Sequence, residues 1–296
     1  MKIWIAALAM VTLAGLASAQ DDEKTPFEKL KDAVAKKDVD AVKALAPETQ
    51  VAAQKMVNAP KPSAEAEVKD WEAAVESGKE ILTYTEYALA NTAEQPGVEP
   101  AKVIELVDML LAENPKSKYL DDLCANAYLV ALGKSGGSAK QLDGMAKIVK
   151  GRPDNITALL ALIDTRPTLQ YANELVAAAK KLKPEGVGEP EWEKLRNEAL
   201  GKGYLQLGTI NGQKQGWVDC DKYLKMAVPL LQGPSLGNAY FTLGICDFKF
   251  GEITQDRSKK QAGQQYMEKA AAIKGPNQGA AYQQSAAMKQ ALATGR

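Results

Sequence analysis

The chain contains no histidine. That removes the commonest general base and the commonest metal ligand, and with them any Ser-His or Cys-His nucleophile. Net charge is missing as well: Lys and Arg number 37 and Asp and Glu also 37. Nothing therefore draws the chain electrostatically to nucleic acid or to an anionic membrane. Cysteine is confined to Cys124, Cys220 and Cys246, too few and too far apart for a zinc site. Aromatic residues make up only 6% of the chain, and with alanine abundant and β-branched residues scarce the composition favours helix throughout.

Long apolar runs are absent too, except at the start. Ile3 to Leu16 are almost wholly apolar after Met1-Lys2, and Ala17-Ser18-Ala19 precedes Gln20 and the acidic cluster Asp21, Asp22, Glu23. A charged start, a short apolar stretch and a small-x-small site predict a signal peptide of bacterial type over residues 1–19, cleaved after Ala19. The mature protein is then expected in the periplasm or outside the cell, with no integral membrane span. In such a compartment one pair of cysteines can bridge. Two dispositions stand open: a Cys220–Cys246 bridge between adjacent helices, or three small buried thiols.

What is present is helical punctuation. Thr25-Pro26 opens a helix, Lys36-Lys37-Asp38 turns it, and Pro47 is expected to end or kink the partner helix. Residues 20–60 thus form an N-terminal hairpin closed by the linker Ala59-Pro60-Lys61-Pro62. Residues 63–93 are one helix with Gly78 inside it, or two helices turned at Ser77-Gly78. Helix pairs then follow over residues 61–275. Their boundaries are set by Gln95-Pro96-Gly97, Asn114-Pro115, a Ser117 cap, Gly136-Gly137, Gly151-Arg152-Pro153, an Asp154-Asn155 cap, Arg166-Pro167 and the Pro184–Pro190 loop. In the helix after Ser117, Leu120, Leu123, Cys124 and Tyr128 are placed inward. Residues 276–296 carry only a thin apolar stripe, which suits a C-terminal capping helix.

One pattern is written twice. Leu200, Gly201 and Tyr204 precede Cys220, Leu224 and Ala227; Leu243 and Gly244 precede Gly263, Met267 and Ala270. The offset from Gly201 to Gly244, and from Cys220 to Gly263, is 43 residues. On these residues the chain resembles the tetratricopeptide repeat family. Tyr240, Leu243, Gly244 and Gly251 match its first helix, with Asp247 where tyrosine is usual. Cys124-Ala125-x-x-Tyr128 is similar to the same helix, and Pro153-Asp154-Asn155 with Leu159, then Ala172, Val176, Ala179 and Pro184, to a further unit. The chain departs from the family in spacing: Gly201 to Cys220 and Gly244 to Gly263 each span 19 residues, against roughly 12 in the family. The polar stretches Asn211–Lys214 and Thr254–Arg257 are therefore expected as loops.

The resemblance implies an all-α fold, a right-handed superhelical array of antiparallel helix pairs whose concave face binds a protein or peptide. Carried over unit by unit, the outward positions are Tyr119, Asp122 and Asn126; Glu198, Lys202 and Leu205; and Asn238, Phe241, Ile245, Phe248 and Lys249. No catalytic, cofactor or metal residues are expected. Gly133-Lys134-Ser135 lacks the earlier glycine of a phosphate-binding loop, Tyr128 standing in its place, and reads as a helix C-terminal turn. The competing reading is a cell-wall glycan hydrolase working through carboxylates such as Glu191, Glu193, Glu198 or Asp121-Asp122. A close carboxyl pair in a deep groove would mark the enzyme; a shallow apolar groove with Phe241 and Phe248 exposed would mark the scaffold.

Overall fold

The computed structural model describes residues 24–181, 183 and 188–294. The expected leader, its cleavage site and Pro184 lie outside the described residues. Those described form twelve helices and a short 3-10 turn, with no strand. In chain order the helices are α1 (Pro26–Lys36), α2 (Val39–Val57), α3 (Glu65–Ala93), α4 (Pro100–Glu113), α5 (Asp122–Gly151) and α6 (Ile156–Thr165). Then come α7 (Leu169–Ala179), α8 (Glu189–Gln213), α9 (Trp217–Ala227), α10 (Gly233–Thr254), α11 (Arg257–Ala271) and α12 (Gln278–Thr294). Each helix packs chiefly on its chain neighbours, so the molecule is a solenoid-like array of helix pairs. A continuous core runs from Leu30 to Ala227, and two smaller cores continue it around Leu243 and around Met267.

The N-terminal hairpin is docked on this array. Leu30, Val42 and Ala46 share a core with Leu89 and Leu106. The Trp71 indole N–H donates to the Ala59 carbonyl at 2.8 Å, which ties down the Pro-flanked segment. Lys43–Glu105 at 2.6 Å and Lys102–Asp40 at 2.8 Å add ion pairs from α2 to α4.

Several local expectations change. Pro47 does not end α2, because it lies on the exposed face, where water can reach the Lys43 carbonyl it frees. Val42, Ala46, Thr49 and Ala53 stay packed on the opposite face. Residues 65–93 form one helix, and Gly78 serves close packing: a Cβ there would lie 3.0 Å from the Ala53 carbonyl oxygen of α2. Ser117 is not the cap of α5. Asp121 takes that role by accepting from the Cys124 N–H at 2.9 Å, and the shifted start leaves Leu123 68% exposed rather than inward. The helix continues through Gly133 and breaks at Gly137, whose φ of 72° lies in the left-handed region.

The stretches expected as loops are largely helix. α8 extends to Gln213 and α10 to Thr254, and each turn is made by one left-handed residue, Gln215 (φ 60°) or Gln255 (φ 56°). Lys37 (φ 57°) makes the same turn between α1 and α2. The longer spacing is thus absorbed as extra helix on both arms of the hairpin.

These equivalent turns lie 40 residues apart, not 43. Gly201 and Gly244 accordingly meet different partners. A Cβ on Gly201 would approach Leu231 and Leu230 at 3.1 and 3.2 Å, whereas one on Gly244 would approach the Gly263 carbonyl oxygen at 2.9 Å. The sequence offset overshoots structural equivalence by about one helical turn.

Candidate binding clefts

Among the described residues, open clefts lie along the array, and three of them contain expected outward positions.

The first lies between α3 and the turn before α5 and holds about 440 Å³. One face of α3 supplies Glu76, Lys79, Glu80, Thr83 and Tyr87, with Tyr84 beside them. That face is free because Thr85, Ala88, Leu89 and Thr92 commit the other side of the helix to the core. Tyr119 closes the cleft from a short turn. There the buried Ser117 hydroxyl accepts from the Tyr119 N–H at 3.2 Å, and the Ser117 carbonyl accepts from the Arg152 guanidinium at 2.7 Å.

Four rings run in sequence along this edge. Phe27–Tyr84, Tyr84–Tyr87 and Tyr87–Tyr119 have centroids 5.4, 5.7 and 5.8 Å apart, with planes steeply inclined. Phe27–Tyr84 and Tyr87–Tyr119 meet edge to face, the favourable arrangement for aromatic quadrupoles, and Tyr84–Tyr87 is tilted at 56°. Tyr84 is half-buried, and burial followed by the neighbouring Tyr87 raises its hydroxyl pKa.

The second cleft lies between α8 and the segment from Pro229 to Ser235 and includes Glu198 and Lys202. Lys202 Nζ is 2.8 Å from Asp164 and 3.3 Å from Glu198. Burial opposes its charge, but these two carboxylates outweigh it and raise the pKa. Leu205 is partly buried and packs between two cores.

The third, about 390 Å³, lies between α10 and α12 and includes Ile245, Phe248, Lys249 and Met288. Phe248 is only 6% exposed, and Phe241 and Ile245 pack on the same small core. The Asn238 side-chain Oδ1 accepts from the Asn277 side-chain amide at 3.0 Å. Lys249 pairs with Glu252 at 2.7 Å. The expected positions are thus distributed over separate clefts rather than joined in one groove. Asn126 is exposed on α5, while Asp122 opens that helix. Sequence reasoning missed both Tyr84 and Tyr87 as site residues; the signal was two tyrosines three residues apart on an otherwise polar helix face.

Close carboxyl groups do occur. Glu94, on the last turn region of α3, is pushed up to about 7 by burial and by Asp121. Glu113 is also pushed up to about 7, by burial and then Glu86. Asp247, 1% exposed, is pushed up to about 6 by burial and by Asp221, against the opposing Lys259. Lys259 Nζ lies 3.2 Å from Asp247 and 3.5 Å from Asp221, and Lys225 lies 2.6 Å from Asp221. Beside this group Cys220 and Cys246 form a disulfide with Cα atoms 6.3 Å apart, and Cys124 is a buried free thiol. None of these carboxylates lines the three clefts. Asn155, the expected cap of α6, does cap it, accepting from the Ala158 N–H at 2.8 Å.

Among the described residues no helix is long and apolar enough to cross a membrane, and no three acidic or cysteine side chains are grouped to hold a metal. No protein-family model matches the chain, and no curated protein or solved structure matches it either.

Proposed function

We propose that this is an exported, non-catalytic scaffold of the tetratricopeptide type, coiled as a right-handed superhelix, that binds protein or peptide segments in the cell envelope. The observation that carries this reading is the tyrosine cleft: three partly exposed rings held at fixed spacing by a rigid helix and a braced turn, in a groove of side-chain dimensions. Rigid aromatic anchors give contact area at low entropic cost, which is what a recognition surface needs. The close carboxyl pairs support binding over hydrolysis, since they lie apart from the clefts and Asp247 is buried against Lys259.

Panning a displayed random-peptide library against the mature chain tests the proposal. Sequences should be enriched whose binding is lost in the Tyr87→Ala plus Tyr119→Ala variant. A library that yields no such peptide refutes the binding reading; hydrolysis of peptidoglycan by the purified chain would replace it with the enzymatic one.

A further inference from the structure

We infer that the tyrosine cleft recognises the cationic side chains of a basic peptide segment. This deepens the scaffold reading and rests on it. The argument starts from the ring run itself. Its two outer rings already carry an ammonium group: Lys31 Nζ stands 4.6 Å from the Phe27 centroid, and Lys118 Nζ stands 5.0 Å from that of Tyr119. The faces of this edge therefore attract cations, as the negative face of an aromatic quadrupole does. The two inner rings, Tyr84 and Tyr87, face the cleft instead.

The charges around them point the same way. Glu76 and Glu80 line the cleft against Lys79 alone, and Lys79 is occupied by Glu76 at 3.1 Å. Lys118, held over Tyr119, brings a second ammonium to the rim and cancels any net charge, so the draw on a cation comes from Glu80, which among the described residues is in no ion pair. Glu80 is the acid to which an incoming lysine or arginine would be drawn, while its methylene stem lies along the tyrosine faces. A neutral peptide would gain ring contact only; an acidic one would meet Glu76 and Glu80 as like charges.

Isothermal titration calorimetry on the mature chain in low salt decides this, with three hexapeptide probes: one of alternating Arg and Gly, one of alternating Glu and Gly, and one of alternating Ser and Gly. The Arg peptide should bind at least about tenfold more tightly than the other two. Tyr87→Ala should weaken it roughly fivefold to tenfold although no charge is altered, and Tyr87→Phe should restore it, because the ring face is kept. Glu80→Gln should weaken it by a similar factor and flatten its salt dependence. Phe241→Ala, on α10 against the small core around Met267, should leave it unchanged. Equal binding of the three probes, or full retention in Tyr87→Ala, overturns the inference. If library-selected peptides still require Tyr87 and Tyr119 but carry no basic residues, the inference fails while the scaffold reading stands.

Discussion

The array depends on two helices approaching until one backbone touches the other, and Gly263 is where this is tightest. A Cβ built on Gly263 would lie 2.6 Å from the Phe248 backbone nitrogen, 2.7 Å from the Gly244 carbonyl oxygen and 2.9 Å from the Phe248 Cβ. Two of these atoms are backbone and belong to α10, so no side-chain rotation relieves the clash. α10 and α11 must part by roughly 1 Å to restore ordinary contact distance. Overpacking costs about 1–3 kcal/mol, and because the clashing atoms are backbone the upper part of that range, about 2–3 kcal/mol, applies. The alanine recovers about 1 kcal/mol of helix propensity, leaving a net loss of about 1–2 kcal/mol. Gly279, near the start of α12, is the internal control: a Cβ there meets nothing within 4 Å. Gly279→Ala should therefore stabilise the protein by up to about 1 kcal/mol. Thermal unfolding followed by circular dichroism at 222 nm, with the disulfide intact, should show Tm falling by about 2–6 °C for Gly263→Ala and not falling for Gly279→Ala. If Gly263→Ala raises Tm as Gly279→Ala does, the helices do not approach as described and the hairpin packing is wrong.

The acid group beside the disulfide yields a pH prediction. Asp247 is held above its ordinary carboxyl value, at about 6. The stabilisation from its proton is therefore complete below about pH 4 and is lost as pH rises through about 6. Asp247→Asn, neutral at every pH, should be more stable than wild type at pH 8 and lose less stability between pH 4.5 and 8 in melts; a variant less stable at pH 8 contradicts this. The Cys220–Cys246 bridge spans 26 residues of sequence. Reduction should lower stability by about 3.5 kcal/mol on the chain-entropy account, measurable in urea titrations with and without dithiothreitol. Cys124 is buried, and burial, then Glu94 and Asp121, push its thiol pKa up. A chromogenic disulfide reagent should therefore find no reactive thiol in the native, unreduced protein and a single one after denaturation; rapid native labelling would show that α5 does not shield it.

Helix identity was legible because its signals are local. Thr25, Asn155 and Asp256 act as caps through their own side chains, and apolar residues recur at helical spacing on the buried faces of α4 (Val103, Leu106, Val107, Leu110) and α6 (Ile156, Leu159, Leu162, Ile163). Register between helices was not legible. The left-handed positions themselves are held by Gln215 and Gln255, not by the glycine or asparagine that usually marks them, so the polar residues before them read as loop although they continue α8 and α10. The same gap misplaced the repeat offset. Small residues mark where helices meet, but which small residue opposes which depends on turn position, and a shift of one turn keeps the pattern while changing every partner. That is how Gly201 comes to face Leu231 while Gly244 faces Gly263.

The clefts follow from this. In an array built of chain neighbours, every inner helix packs on its predecessor and its successor, and its remaining surface opens between units. α3 is longer than its partners, with 29 residues against 19 in α2 and 14 in α4. Its Gly78 side is covered by Ala53 and Val57 of α2, while the face bearing Glu76, Lys79, Glu80, Thr83 and Tyr87 stays open. Phe27 and Tyr119 flank that face from α1 and from the turn before α5. A single-helix pattern shows Tyr84 at core spacing and Tyr87 as an isolated surface aromatic. Only the rings that other elements bring against α3 turn the two into adjacent walls of one site.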